Sequence, residues 1–86
     1  MNFDYQKLKA ELSHLLAAMT SFTPSEAAEV EQLLAVGEYG VAFETLCGII
    51  KEEGKPVSSE IRPKIRELGE RMKIDPDWWK EIAETK

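Results

Sequence analysis

Every apolar run in this chain recurs at intervals of three or four residues, and none alternates. A period near 3.6 gathers side chains along one side of a helix, whereas a half-buried strand needs a period of two. That spacing confines the fold class to all-α. Tyr5, Leu8, Leu12, Leu15 and Met19, widened by Leu16, form a first amphipathic stripe that predicts a helix over about residues 4–19. The pattern restarts at Thr23-Pro24-Ser25-Glu26. Thr23 is an N-cap type, Pro24 suits the first helical position, and Glu26 completes a capping box. Phe22 precedes the cap and is placed to staple onto Ala27 or Ala28, while Ala27, Val30, Leu33 and Leu34 supply the buried stripe of this second helix.

A third helix is predicted from about Glu38 to Glu53, with Tyr39, Ala42, Phe43, Leu46, Ile49 and Ile50 inward. Gly54 stops it and Pro56 reinforces the stop. Ser58 or Ser59 is the expected cap of a fourth helix carrying Ile61, Ile65, Leu68 and Met72, with Pro63 in or just after its first turn, where a missing amide costs least. Asp75-Pro76-Asp77 then announces a short last helix bearing Trp78, Trp79 and Ile82. The expectation is a small bundle of four to five short helices in one domain, residues 1–86.

The tetrapeptide Gly37-Glu38-Tyr39-Gly40 lies between two of these stripes. It is not a phosphate-cradling loop: neither GxxxxGK[ST] nor GxGxxG is present, no strand precedes it, and Glu38 would repel phosphate. Gly37, Tyr39, Ala42, Leu46, Ile49 and Ile50 instead resemble the turn and second helix of a tetratricopeptide repeat. The glycine allows a left-handed backbone, and the small residue at 42 allows close helix approach. One such unit cannot make a solenoid, which needs about three. The reading is a tetratricopeptide-like helical hairpin inside the bundle.

The net charge of −5 is concentrated. Residues 1–20 balance, and residues 55–86 hold seven acids against eight bases. Residues 21–54 hold Glu26, Glu29, Glu31, Glu38, Glu44, Glu52 and Glu53 against Lys51 alone, which is −6. This argues against nucleic-acid binding, since phosphates would be repelled, and it favours a basic partner; a solvated face that only maintains solubility is the plainer alternative. One cysteine, Cys47, allows no internal disulfide. Lys7 and Lys9 among early acids, and His14 within the first apolar run, fit neither a signal peptide nor a membrane span. The expected location is the cytoplasm.

Catalytic signatures are lacking. His14 and Cys47 are the only candidates for a nucleophilic pair and carry no surrounding motif; Cys47 reads as a small packing residue. One His and one Cys do not make a metal site, so neither metal nor cofactor is expected, and the chain reads as a non-enzyme. Glu52 and Glu53 point about 100° apart on a helix and do not form an acid/base pair. Trp78 and Trp79 cannot share one core face either: one ring is expected to seal the bundle, the other to lie on the surface or touch a partner. On the fourth helix, Glu67 and Arg71 are expected to pair at i,i+4 on a solvated face. On the third, Val41 and Gly48 fall on the outward side. Gly48 costs about 1 kcal/mol relative to Ala, and either close approach of another helix or a shallow spot rimmed by Glu44 and Glu52 explains it.

Nearly the whole chain is similar to the MafI-type immunity proteins of bacterial polymorphic and contact-dependent growth inhibition toxin systems. The resemblance runs through DYQKLKAELSHLL and through EVEQLLAVGEYGVAFETLCGII to the ending MKIDPDWWKEI. It is carried by Gly37-Glu38-Tyr39-Gly40 with Ala42, by Leu46 to Glu53, and by Met72-Lys73-Ile74-Asp75 with Trp78 and Trp79. It implies a small helical cytoplasmic protein that binds and blocks a cognate toxin C-terminal domain, often a ribonuclease, EndoU-type enzymes among them. Combined with the charge pattern, the expectation is a nuclease inhibitor whose acidic face masks a basic RNA-binding surface. Its contact set is Glu29, Glu38, Glu44, Glu52 and Glu53, with Glu26 and Glu31 at the margin. The alternative is a helical adaptor or homodimerisation domain built on the hairpin; homo-oligomerisation stays open.

Overall fold

The computed structural model describes residues 4–84. Five helices follow in order: α1 (Tyr5–Ala18), α2 (Pro24–Ala35), α3 (Tyr39–Glu53), α4 (Ile61–Arg71) and α5 (Pro76–Glu84). No strand occurs among the described residues. The start signals act locally as their chemistry demands. Asp4 Oδ1 accepts from the Lys7 N–H at 3.0 Å. Thr23 and Glu26 close a reciprocal capping box, at 3.1 and 2.9 Å, with Pro24 in the first turn. The α2–α3 junction turns on Gly37 at φ 81, and Gly54 closes α3 at φ 62. Both values lie in the left-handed region, which a Cβ disfavours.

The bundle is organised around α3, which packs against α1, α2 and α5; α1 also meets α4, and α4 packs on α5. Ala42, Phe43, Leu46 and Cys47 of α3 are sealed from solvent, among Leu8, Leu12, Leu15, Val30, Leu34, Ile65 and Leu68. α2 and α3 pack together across the Gly37 turn as a hairpin, and Ala42 is buried in the core. The radius of gyration is 11.9 Å, the value of about 12 Å expected for a compact chain of this length.

Lys55 ties the far end of α3 to the α1–α2 turn. Its ammonium pairs with Glu26 at 2.9 Å, donates to the Ser21 carbonyl at 3.1 Å, and lies 6.0 Å from the Phe22 ring centre. The Thr23 backbone N–H, and then Lys55, hold the Glu26 carboxyl below its ordinary pKa. A lowered folded-state pKa stabilises the fold above the ordinary carboxylate range, and that contribution is lost as pH falls.

Three sequence expectations are corrected. Neither Ser58 nor Ser59 caps α4 with its side chain. The N-cap is Glu60, which makes no side-chain cap hydrogen bond, and the Ser58 carbonyl receives the N–H groups of Ile61 and Arg62 at 3.1 and 3.3 Å. The Glu67–Arg71 pair does not form: Arg71 reaches across to Glu11 of α1, and Glu67 takes Lys64 at 3.4 Å. A charge on another helix outcompetes the local neighbour. Tyr5, placed in the apolar stripe of α1, is exposed and stacks on Tyr39 with ring centres 6.0 Å apart.

At the α4–α5 corner the packing is close. Lys73 N–H donates to the Glu70 carbonyl at 3.1 Å and Ile74 N–H to the Gly69 carbonyl at 2.9 Å, a Schellman-type closure with Lys73 at φ 57. Trp79 folds back onto α4, 6% exposed, and its Nε1–H donates to the Ile74 carbonyl at 3.0 Å. A Cβ on Gly69 would lie 2.4 Å from Trp79 Nε1, inside van der Waals contact. Gly69→Ala should therefore destabilise by about 1–3 kcal/mol despite alanine's better helix propensity, read as a lower melting temperature by circular dichroism. Lys73→Gly removes left-handed strain and should stabilise by about 0.5–1 kcal/mol in the same measurement.

Candidate functional site

The outward side of α3 carries what the core does not use. A shallow depression of about 390 Å³ is lined there by Glu29, Val41, Glu44, Gly48, Glu52 and Trp78, with Thr45 and Ile49. Glu29 comes from α2, the middle residues from α3, and Trp78 from α5. Trp78 stands beside the inward-facing Trp79, so it must point away from the core; it is 38% exposed, and its ring lies over Gly48. A Cβ on Gly48 would meet Trp78 Cζ3 at 3.6 Å, an ordinary contact. Alanine would fit, so packing does not account for the glycine, and Gly48 is the floor of the depression.

The carboxylates of Glu29, Glu44 and Glu52 form no ion pair among the described residues. The cation next to Glu52 in sequence, Lys51, donates to the carbonyl of Asp77, the residue before Trp78, at 2.8 Å and lines a different hollow. Three unneutralised acids thus surround an exposed indole.

Glu38 lies elsewhere. It lines a second depression, of about 460 Å³, with Tyr5, Tyr39, Val41, Arg71 and Lys73. Val41 lines both depressions, so the two adjoin. Of the four large hydrophobic side chains exposed among the described residues, Tyr5, Val41 and Trp78 line this strip and Val36 sits two residues before Glu38. Apolar anchors within a charged surround are the usual anatomy of a protein interface. Glu53 is exposed at the end of α3 and lines neither depression. Glu26 is engaged by Lys55 and its own capping box, and Glu31 lines a separate hollow with Phe22 and Ala27. The structure therefore groups Glu29, Glu44 and Glu52, sets Glu38 at the adjoining site, and leaves Glu53 apart.

Two residues of the strip escaped sequence reasoning. Trp78 was legible as a surface ring but not as the cover of Gly48, which depends on how α5 docks. Lys73 occupies the position after the α4 C-cap where glycine is usual; the proline three residues on was the available signal.

No family model matches the chain, and no curated protein or solved structure matches it.

The His14–Cys47 pair does not assemble as a reactive unit. His14 is exposed on α1, whereas Cys47 has no exposed surface. Burial pushes the Cys47 thiol up to about 12, with Lys51 opposing the shift and Glu44 adding to it. Among the described residues no group of three His, Cys, Asp or Glu side chains is arranged to hold a metal, and no helix is long and apolar enough to cross a membrane. A raised folded-state pKa stabilises the fold below the unfolded thiol's pKa, and that stability is lost as pH rises through the folded value. Denaturant unfolding of the wild type should therefore show stability declining between about pH 9 and 12, with a shallower decline in Cys47→Ala. At neutral pH a disulfide-exchange reagent should label Cys47 only on unfolding.

Proposed function

We propose that this chain is a non-enzymatic inhibitor of the immunity-protein kind, which acts in the cytoplasm by covering the basic surface of a cognate toxin domain with the outer face of α3. The observation that carries this reading is the set of unpaired carboxylates, Glu29, Glu44 and Glu52, around the exposed Trp78. Carboxylates left without cations on a folded surface are complementary to a basic one, and an indole at their centre supplies the apolar anchor that charge alone lacks.

A ribonuclease is the toxin class that this surface suits. An RNA-cleaving domain must present positive potential to its substrate, so an acidic plug competes for the same field. Inhibition does not require entry into the catalytic cleft; covering its rim excludes RNA equally well. An EndoU-type domain is the first candidate to test. Long-range attraction would raise the association rate, which matters for an immunity protein that must reach the toxin before the toxin reaches RNA.

The test is co-purification with the C-terminal domain of the protein encoded immediately upstream, followed by a nuclease assay with and without this chain. The wild-type chain should suppress cleavage. The triple variant Glu38→Lys, Glu44→Lys, Glu52→Lys should associate roughly 10–100-fold more slowly and lose protection as toxin is raised. Full protection by the triple variant at raised toxin dose would overturn the acidic-face reading.

A further inference from the structure

The strip along α3 is not uniform in charge. Its Trp78 end holds only carboxylates among its ionisable groups, whereas the adjoining depression holds Glu38 together with Arg71 and Lys73. Arg71 is already held by Glu11. The Lys73 side chain is exposed and makes neither an ion pair nor a hydrogen bond among the described residues, and Glu38 across the same depression is likewise unpaired. Both charges are presented outward.

The placement of Lys73 is not incidental to the fold. Its left-handed backbone, φ 57, is set by the closure of α4 onto Ile74, and Trp79 locks that closure. The chain keeps a lysine where glycine would be less strained. The stacked Tyr5 and Tyr39 rings line the same depression, giving it an apolar wall. An exposed, unpaired ammonium that lines a depression with an aromatic wall can receive a carboxylate.

We propose, resting on the docking reading above, that Lys73 takes an acidic side chain of the partner and so sets the orientation in which the toxin domain lies along α3. The partner's basic groups meet the Trp78 end, and an acidic group on the same surface meets Lys73. A strip of a single sign would attract any basic surface in several registers. A cation at one end penalises every register that brings a base against it, which is how charge patterning yields specificity.

The sign of one substitution decides the matter. If the face is simply acidic and the partner simply basic, Lys73→Glu tightens the complex. If Lys73 receives a carboxylate, Lys73→Glu weakens it. Binding of the upstream-encoded toxin domain would be measured by surface plasmon resonance for the wild type, Lys73→Glu, Lys73→Gly and the double variant Glu44→Lys, Glu52→Lys, with melting temperatures and sedimentation of each chain alone. The expected result is at least a tenfold weaker complex for Lys73→Glu, and a weaker complex for Lys73→Gly although that variant melts higher. Unchanged or tighter binding by Lys73→Glu, with binding lost in the double variant, would overturn the role of Lys73 and leave the acidic-face reading standing. Undiminished binding by the double variant would overturn that reading itself. A homodimer that Lys73→Glu dissociates would make a second copy the occupant of the strip and overturn the proposal.

Discussion

The indole of Trp79 lying on the bare backbone of Gly69 is the contact on which the placement of Trp78 over α3 depends. No side chain fits between them, and the Nε1–H bond to the Ile74 carbonyl fixes the ring's direction as well as its depth. That bond also pins the left-handed corner at Lys73, so α5 returns along α4 at a defined angle and reaches α3. Successive residues on a helix point about 100° apart. With Trp79 committed inward, Trp78 is committed to the outside, and the only outside available is the surface of α3 above Gly48. The exposed ring is thus a geometrical consequence of the buried one.

The same economy governs α3. It contacts three other helices, as α1 does, and its inner side is closed so completely that a thiol there is held protonated far beyond its ordinary range. Most of what α3 offers to solvent therefore falls on its outer side, with Lys51 and Glu53 exposed near its end. Its ends are fixed separately, by Gly37 at the hairpin and by Gly54 with the Lys55 clamp onto Glu26 and Ser21. Glu26 is drawn into that clamp and removed from the available acids. A rigid helix with both ends tied presents its remaining carboxylates in a constant arrangement, which is what an interface of modest size requires to bind without a large ordering cost.

Local signals in the sequence foretold the helices well because helix punctuation is local chemistry. Thr23 with Glu26, Pro24, Gly37, Gly54 and Asp75-Pro76 each act within a few residues, and the period of the apolar residues names the buried side. The misplacements have one cause. Ser58 and Ser59 are good cap residues, yet a backbone turn onto the Ser58 carbonyl started α4 without them. Glu67 and Arg71 are good helical neighbours, yet Glu11 of α1 was nearer to hand. Tyr5 fits the stripe of α1 by spacing, yet the hairpin offers it Tyr39 instead. The candidate face was legible to the same extent. Glu44, Glu52, Val41 and Gly48 could be read as outward from one helix's period. Their union with Glu29 and Trp78, the separation of Glu38 and the detachment of Glu53 are set by docking between helices, which no period encodes.

What distinguishes the outer side of α3 from an ordinary solvated surface is that it carries costs with no structural return. Gly48 weakens a central helix where alanine fits. Trp78 and Val41 leave apolar surface in water. Glu29, Glu44 and Glu52 leave like charges near one another without a cation, and Lys73 holds a strained backbone that glycine would relieve. Each cost is small, but a chain of this size has little stability to spare. All of them line two adjoining depressions, while most of the interior is tightly closed; elsewhere the departures are the missing side-chain caps of α3 and α4 and a buried Arg62 Nε without a partner among the described residues. Departures of a sequence from its own local rules are expected at functional or strained sites. Here the departures share a physical character, shape, charge and apolar surface left in water, and the proposed docking is what would cover them.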